Sequence, residues 1–256
     1  MECNKNGYIA LFDSGVGGIS VLRQLRRILP NERYLYFGDS ANAPYGGKST
    51  EEVRALTLAA AEMLLTNYPV KALVVACNTA TSAAINVLRE TYPDRIIVGI
   101  EPALKLAANR YPGGRIGVMA TEVTLREKKF HRLLERFAEV CTVEKIPAPG
   151  LVELVEKGLG DSREADELLH RLLGPHIGHL DALVLGCTHY PLAAASIARV
   201  LGQRTALLDG GEGTARETRR RLEEMDLLGT GCGELKIINS LNDVKMLELS
   251  QKLAEE

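Results

Sequence analysis

Short runs of Val, Ile, Leu and Ala alternate with helical patterns along almost the whole chain. Tyr8–Phe12, Arg33–Phe37, Ala72–Ala76, Ile96–Ile100, Ile116–Ala120, Ala182–Gly186 and Ala206–Leu208 read as strands. Between them, Ile19–Leu29, Thr50–Asn67, Thr81–Thr91, Pro102–Arg110, Thr124–Phe137, Leu151–Gly158, Ser162–Leu173 and Leu192–Leu201 read as helices. Continuous apolar runs suit strands covered by helices on both faces. The alternation therefore predicts an α/β fold built from βα units with mostly parallel sheets. After a glycine-rich loop, Gly229-Thr230-Gly231-Cys232-Gly233, a last strand and helix are expected.

An internal repeat divides this order into two halves. Cys77, in Leu73-Val74-Val75-Ala76-Cys77-Asn78-Thr79-Ala80, and Cys187, in Leu183-Val184-Leu185-Gly186-Cys187-Thr188-His189-Tyr190-Pro191, each follow an apolar run and stand 110 positions apart. Tyr8-Ile9-Ala10-Leu11-Phe12-Asp13-Ser14 echoes Arg115-Ile116-Gly117-Val118-Met119-Ala120-Thr121 at an offset of 107. Two motif pairs at nearly one offset suggest pseudo-symmetric α/β domains facing each other across a cleft. A chain of 256 residues accommodates two domains of that size. Boundaries are expected near Gly99-Ile100-Glu101-Pro102 and Leu208-Asp209-Gly210-Gly211. The first domain is then residues 1–99 plus 210–256, and the second residues 100–209.

Composition removes several functions. A net charge of −2 with interspersed signs argues against a nucleic-acid partner. The Arg-rich stretches Arg23–Arg27 and Arg216–Arg221 fit solvated helix faces better. No apolar run approaches the ~18–20 residues of a membrane span. The start, Met1-Glu2-Cys3-Asn4-Lys5-Asn6-Gly7, lacks the apolar stretch of a secretory signal. A cytoplasmic protein with reduced thiols is the expectation. Cys3, Cys141 and Cys232 read as a terminal, a strand and a loop residue. His176 and His179 are too isolated for a metal site, and none is expected.

Cys77 and Cys187 carry the chemistry. In parallel sheets, ligands bind at the carboxyl ends of strands, where both thiols fall. Thiols on opposite sides of one carbon acid are the equipment of a two-base racemase, each serving as base in one direction and acid in the other. A helix start after each thiol, marked by Asn78 and Thr79 or by Thr188 and Pro191, is expected to favour the thiolate. His189 could orient a proton transfer or bond a neighbouring carbonyl. Asp13 is either a helix cap or a carboxylate assisting a thiol. The loop Asp13-Ser14-Gly15-Val16-Gly17-Gly18 lets backbone N–H groups approach an anion, yet fits neither nucleotide-binding glycine pattern. Ala43-Pro44-Tyr45-Gly46-Gly47 reads as a turn. Thr121 and Thr124 flank a helix start, where hydroxyls cap or bind an anion.

Taken together, these segments resemble the glutamate racemases, cofactor-independent enzymes of the aspartate/glutamate racemase family. The residues that carry the resemblance are Asp13–Gly18, Pro44-Tyr45-Gly46, Cys77-Asn78-Thr79-Ala80, Thr121 with Thr124, and Gly186–Pro191. The resemblance implies a small-molecule substrate, glutamate, held between two domains, with no cofactor. Cys77 would be the base acting on D-glutamate and Cys187 the base acting on L-glutamate. Asp13, His189 and Glu156 would assist the thiols. Ser14, Pro44, Tyr45, Gly46, Asn78, Thr79, Thr121, Thr124 and Thr188 would hold the substrate. The product would be a building block of peptidoglycan, supplied for cell-wall synthesis. A homodimer is admitted, although the sequence does not fix the oligomeric state. Two departures stand out: Pro147-Ala148-Pro149 replaces an Ala-Cys-Pro stretch, and Asp209-Gly210-Gly211 replaces Asp-Ser-Gly.

Two other classes compete. One is a thiol hydrolase with Cys187 as nucleophile and His189 as base, against which residues two apart at a strand end are expected to point apart. The other is a non-catalytic anion binder built on the glycine loop. A racemase needs both thiols, a hydrolase one and a binder neither.

Overall fold

The computed structural model describes residues 5–101, 103–126, 128–137 and 139–255; Cys3 and Pro102 lie outside the described residues. The chain runs β1 (Tyr8–Asp13), α1 (Ile19–Ile28), β2 (Arg33–Gly38), α2 (Thr50–Asn67), β3 (Val70–Val75), α3 (Asn78–Thr91), β4 (Ile96–Gly99) and α4 (Leu104–Arg110). It continues through β5 (Arg115–Ala120), α5 (Glu122–Arg126), α6 (Lys128–Glu135), β6 (Thr142–Pro147), α7 (Leu151–Glu156), α8 (Arg163–Leu173), β7 (Ala182–Leu185) and α9 (Ala194–Leu201). β8 (Ala206–Asp209), α10 (Gly211–Glu224), β9 (Leu235–Asn239) and α11 (Val244–Glu255) complete it.

The strands form two parallel sheets, ordered β4-β3-β1-β2-β9 and β6-β5-β7-β8. Reversed, the second sheet is β8-β7-β5-β6, the same plan as β4-β3-β1-β2. The register repeats as well. Ile9 pairs with Ala72 and Tyr34, as Ile116 pairs with Ala182 and Val143. Ala72 pairs with Ile96, as Ala182 pairs with Ala206. The repeat read from two sequence motifs thus extends to the pairing of every shared strand. β9 then joins β2, so the chain returns to the first sheet after completing the second.

Burial follows the pleat. On β1 and β2, Ile9, Leu11, Tyr34 and Tyr36 face one apolar cluster; Tyr8, Ala10, Phe12, Leu35 and Phe37 face another. The first cluster continues to Met119, Leu183, Leu185 and Tyr190 of the second half, so one core spans both sheets. A third cluster, with Ile116, Val118, Ala182 and Val184, covers the outer face of the second sheet.

Several elements depart from the sequence reading. β6 carries no strand signal in the sequence, because Glu144 and Lys145 interrupt its apolar run. It is an edge strand with one fully buried residue, Ile146, and it tolerates its terminal proline for that reason. Cys141 precedes this strand rather than lying in it, and is buried. The helix expected over Thr124–Phe137 is two helices, α5 and α6, and begins earlier because the Thr121 hydroxyl accepts from the Thr124 N–H at 3.3 Å. The helix face expected at Arg216–Arg221 belongs to α10, which runs from Gly211 to Glu224. Its arginines pair along the helix with Glu212, Glu217, Glu223 and Glu224, as a solvated face would. His176 bonds Glu144 at 2.8 Å. Among the described residues, no helix is long and apolar enough to cross a membrane.

One buried ion pair locks the first sheet. Lys71, at the start of β3, meets Glu32 at 2.5 Å, with side-chain exposures of 0% and 2%. The Lys71 ammonium also donates to the carbonyls of Lys5, at 2.7 Å, and Leu227, at 2.9 Å. Glu32 accepts from the Gly229 N–H at 2.8 Å. The N-terminal segment, the α1–β2 loop, β3 and the returning chain thus meet at one pair of charges.

Candidate active site

The inner strands β1, β3, β5 and β7 end in Asp13, Ala76-Cys77, Ala120-Thr121 and Gly186-Cys187, and parallel pairing gathers those ends at one edge of each sheet. Cys77 and Cys187 are both free thiols, 4% and 7% exposed.

Cys77 caps α3 with its own sulfur, which accepts from the Ala80 N–H at 3.4 Å. Hence the helix begins at Asn78, three residues before the expected Thr81. The thiol donates to the Ser14 hydroxyl at 3.6 Å. Burial pushes this thiol up to about 12, the Asp13 carboxylate adds to the rise, and the Ala80 N–H and Ser14 only partly oppose it. The expected lowering by a helix start is therefore outweighed by desolvation.

Cys187 has different company. No α-helix starts directly after it; a short 3-10 turn, Tyr190–Ala193, intervenes before α9. This turn curls the chain back, placing His189 Nδ1 3.7 Å from the Cys187 sulfur. The two side chains do not point apart, contrary to the sequence expectation. His189 Nε2 bonds Glu156 Oε1 at 2.5 Å, and that oxygen accepts from the Val16 N–H at 2.8 Å. Burial alone would lower the His189 imidazole, but its bonds to Cys187 and Glu156 outweigh burial and raise it well above the ordinary histidine value. An imidazolium beside a sulfur can donate to a thiolate formed there, and its carboxylate partner fixes the ring.

The anion served by the glycine loop belongs to the protein itself. Val16 N–H holds Glu156, while a Cβ on Gly15 would lie 1.8 Å from Glu156 Oε1 and one on Gly17 2.4 Å from His189 Nδ1. The glycines exist so that the His189–Glu156 pair can lie against the loop. Gly15→Ala is expected to keep the fold but lower kcat about 10–100-fold by displacing Glu156. A racemisation assay beside a thermal melt checks this; a kcat within twofold of the parent refutes it.

Asp13 and Thr188 tie the halves together. Asp13 is fully buried, accepts from the Gly15 N–H at 3.0 Å and from the Thr188 hydroxyl at 2.9 Å. Burial raises its carboxyl, and His189, Thr188 and Gly15 oppose the rise. The hydroxyls of Thr79, Thr121 and Thr124 lie 3.0–3.3 Å from one another across the two halves. Both polar atoms of the Asn78 amide are buried with no hydrogen-bond partner among the described residues, as fits a group kept for a ligand. Tyr45 is buried, its hydroxyl donating to Asp39 at 2.7 Å, and Gly46 packs on Thr121 closely enough to forbid a Cβ. Pro44 heads that turn and is exposed.

Three neighbours escaped the sequence reading. Asp39 anchors Tyr45 and Asn42; its signal was a carboxylate just past a strand end. Ser20 donates to the Thr188 carbonyl at 2.9 Å, and Tyr36 to the Gly15 carbonyl at 2.7 Å. Tyr36 had no signal, since it sits inside an apolar run.

The family model for Asp/Glu/hydantoin racemases matches residues 17–218. The chain belongs to this racemase family. A glutamate racemase of Clostridium botulinum is 49% identical over 254 residues, covering 98% of each chain. The crystal structure of a Bacillus anthracis glutamate racemase superposes with a TM-score of 0.88 at 31% identity, over 99% of this chain and 96% of that one. Escherichia coli glutamate racemase, in complex with L-glutamate and an activator, gives 0.85 at 32% identity over 96% and 95%. As a member of this racemase family, the chain has its two thiols at matching places in two halves of one fold.

Proposed function

We propose that this chain interconverts L- and D-glutamate by two-base proton transfer at the α-carbon. The carrying observation is the pair of buried thiols at register-matched strand ends, each with its own helper. In the L-to-D direction, Cys187 as thiolate takes the α-proton while the Cys77 thiol delivers one to the opposite face. The reverse direction exchanges the roles. Asp13 and Ser14 attend Cys77, and His189 with Glu156 attends Cys187. Asn78, Thr79, Thr121, Thr124 and Thr188, with the Pro44-Tyr45-Gly46 turn, hold the substrate's amino and carboxylate groups. The unpartnered Asn78 amide supports that role. Relatives such as the glutamate racemase at 49% identity support glutamate as the substrate.

The thiols supply both acid and base, so the reaction proceeds without pyridoxal phosphate. D-glutamate would serve peptidoglycan synthesis in the cytoplasm. The substrate lies between a first domain, residues 1–99 plus 210–256, and a second, residues 100–209. A thiol hydrolase using Cys187, His189 and Glu156 is the second reading, favoured by their acid–histidine–thiol order, but it leaves Cys77 idle.

The test is optical rotation of L-glutamate, and separately L-aspartate, incubated with protein freed of metal and pyridoxal phosphate. Decay to zero with glutamate is expected. Decay with aspartate alone would overturn the substrate, and no decay with either would overturn the reaction.

A further inference from the structure

Tyr36 lies one strand away from β1, and its hydroxyl is buried completely and aimed at the site. It donates to the Gly15 carbonyl at 2.7 Å. That carbonyl and the Val16 N–H belong to one peptide unit. The N–H end of the same unit holds Glu156 Oε1 at 2.8 Å. Glu156 holds His189 Nε2 at 2.5 Å, and His189 Nδ1 stands 3.7 Å from the Cys187 sulfur. Gly38, on the same strand as Tyr36, clears the way, since a Cβ there would come within 2.5 Å of the Gly15 oxygen. The peptide plane is thus seated on the sheet from one side and loaded with Glu156 from the other.

We propose that Tyr36 is a positioning residue for the Cys187 half-reaction, aiming the Gly15–Val16 peptide so that its N–H fixes Glu156 and, through it, His189. The inference rests on the reaction proposed above. Hydrogen bonds in series polarise one another: a carbonyl that accepts a bond makes the N–H of its own peptide a stronger donor. Rotating that plane would misaim the only backbone donor recorded on Glu156 among the described residues. The titratable groups facing this relay are Asp13 on β1, Cys77 at the head of α3, Glu153 and Glu156 on α7, and Cys187, His189 and Tyr190 past β7. Asp13, Glu156 and Cys77 all keep the Tyr36 phenol in its neutral, donating form, after burial has done most of that work.

The test compares Tyr36→Phe with Tyr34→Phe. Tyr34 is an equally buried neighbour on β2, but its hydroxyl donates to the carbonyls of Leu25 and Leu29, away from the glycine loop. Each variant loses one buried phenol hydroxyl, shared between two carbonyls at Tyr34 and given to one at Tyr36, so a purely structural role predicts no effect confined to Tyr36→Phe. Nitrogen-15 NMR follows the His189 ring through a pH titration, its signal assigned by its absence from His189→Asn. In Tyr36→Phe, a weaker Val16 donor leaves more charge on Glu156, which holds the imidazolium more tightly. The His189 titration should therefore move upward by about half a unit, and kcat should fall about tenfold with KM little changed. Tyr34→Phe should move neither. A Tyr36→Phe protein whose His189 titrates as in the parent overturns the proposal, and so does a Tyr34→Phe protein showing the same shift. The titration needs no substrate. Inactivity of the parent on glutamate would sink the reaction and leave the comparison of the two tyrosines standing.

Discussion

Cys77→Ala and Cys187→Ala are each expected to lower racemisation at least about 10³-fold, because general acid–base groups typically contribute 10²–10⁴ and each direction needs both. The helpers beside each thiol do not replace it: His189 is held by Glu156 and Asp13 by Thr188 and the Gly15 N–H. The Cys77 sulfur bonds the Ser14 hydroxyl and the Ala80 N–H with the Asp13 carboxylate close by, and a serine hydroxyl is far too weak a base. The two variants should differ in what survives. Cys77→Ala retains the base for L-glutamate, so in deuterated water it should wash deuterium slowly into L-glutamate alone. Cys187→Ala should do the same with D-glutamate alone. Proton NMR of the α-position, with chiral separation of the products, reads both outcomes. Turnover near the parent rate in either variant, or wash-in to both enantiomers, would rule out the two-base scheme. The thiol-hydrolase reading makes the opposite forecast, since it has no use for Cys77.

Lys71→Met should cost about 3–5 kcal/mol of stability, the usual loss when one partner of a buried ion pair is removed. The substitution keeps the length of the side chain and removes the charge. It strands the Glu32 carboxylate, which is 2% exposed, and leaves the carbonyls of Lys5 and Leu227 without their donor. Urea unfolding gives the difference directly. Replacing both partners, Lys71→Met with Glu32→Leu, should recover part of the loss, because no lone charge remains buried. A single variant within about 1 kcal/mol of the parent would show that water reaches this pair.

The sequence disclosed the fold wherever the chain speaks in continuous apolar runs. β1, β3, β5 and β7 were legible because central parallel strands are buried on both faces. The edge strand β6 was not, since Glu144 and Lys145, on its two faces, break the apolar run. The thiols, Asp13 and Thr188 announced themselves by standing just past strand ends. What the sequence concealed was direction. Nothing in it showed that the glycine loop would bind Glu156, or that a turn after Cys187 would fold His189 back onto the sulfur. Tyr36, an apolar-looking residue with one polar atom, was hidden for the same reason.

The two thiols occupy equivalent places but are furnished unequally, with a hydroxyl and a buried carboxylate at one and an imidazole–carboxylate pair at the other. Mirror-image amino acids have equal free energies in water, so the proposed reaction has an equilibrium constant of unity whatever the protein does. Detailed balance then makes kcat/KM identical in the two directions. Unlike furnishings cannot tilt the yield. They can only decide which enantiomer the site retains longer, and that enantiomer must turn over more slowly in the same proportion.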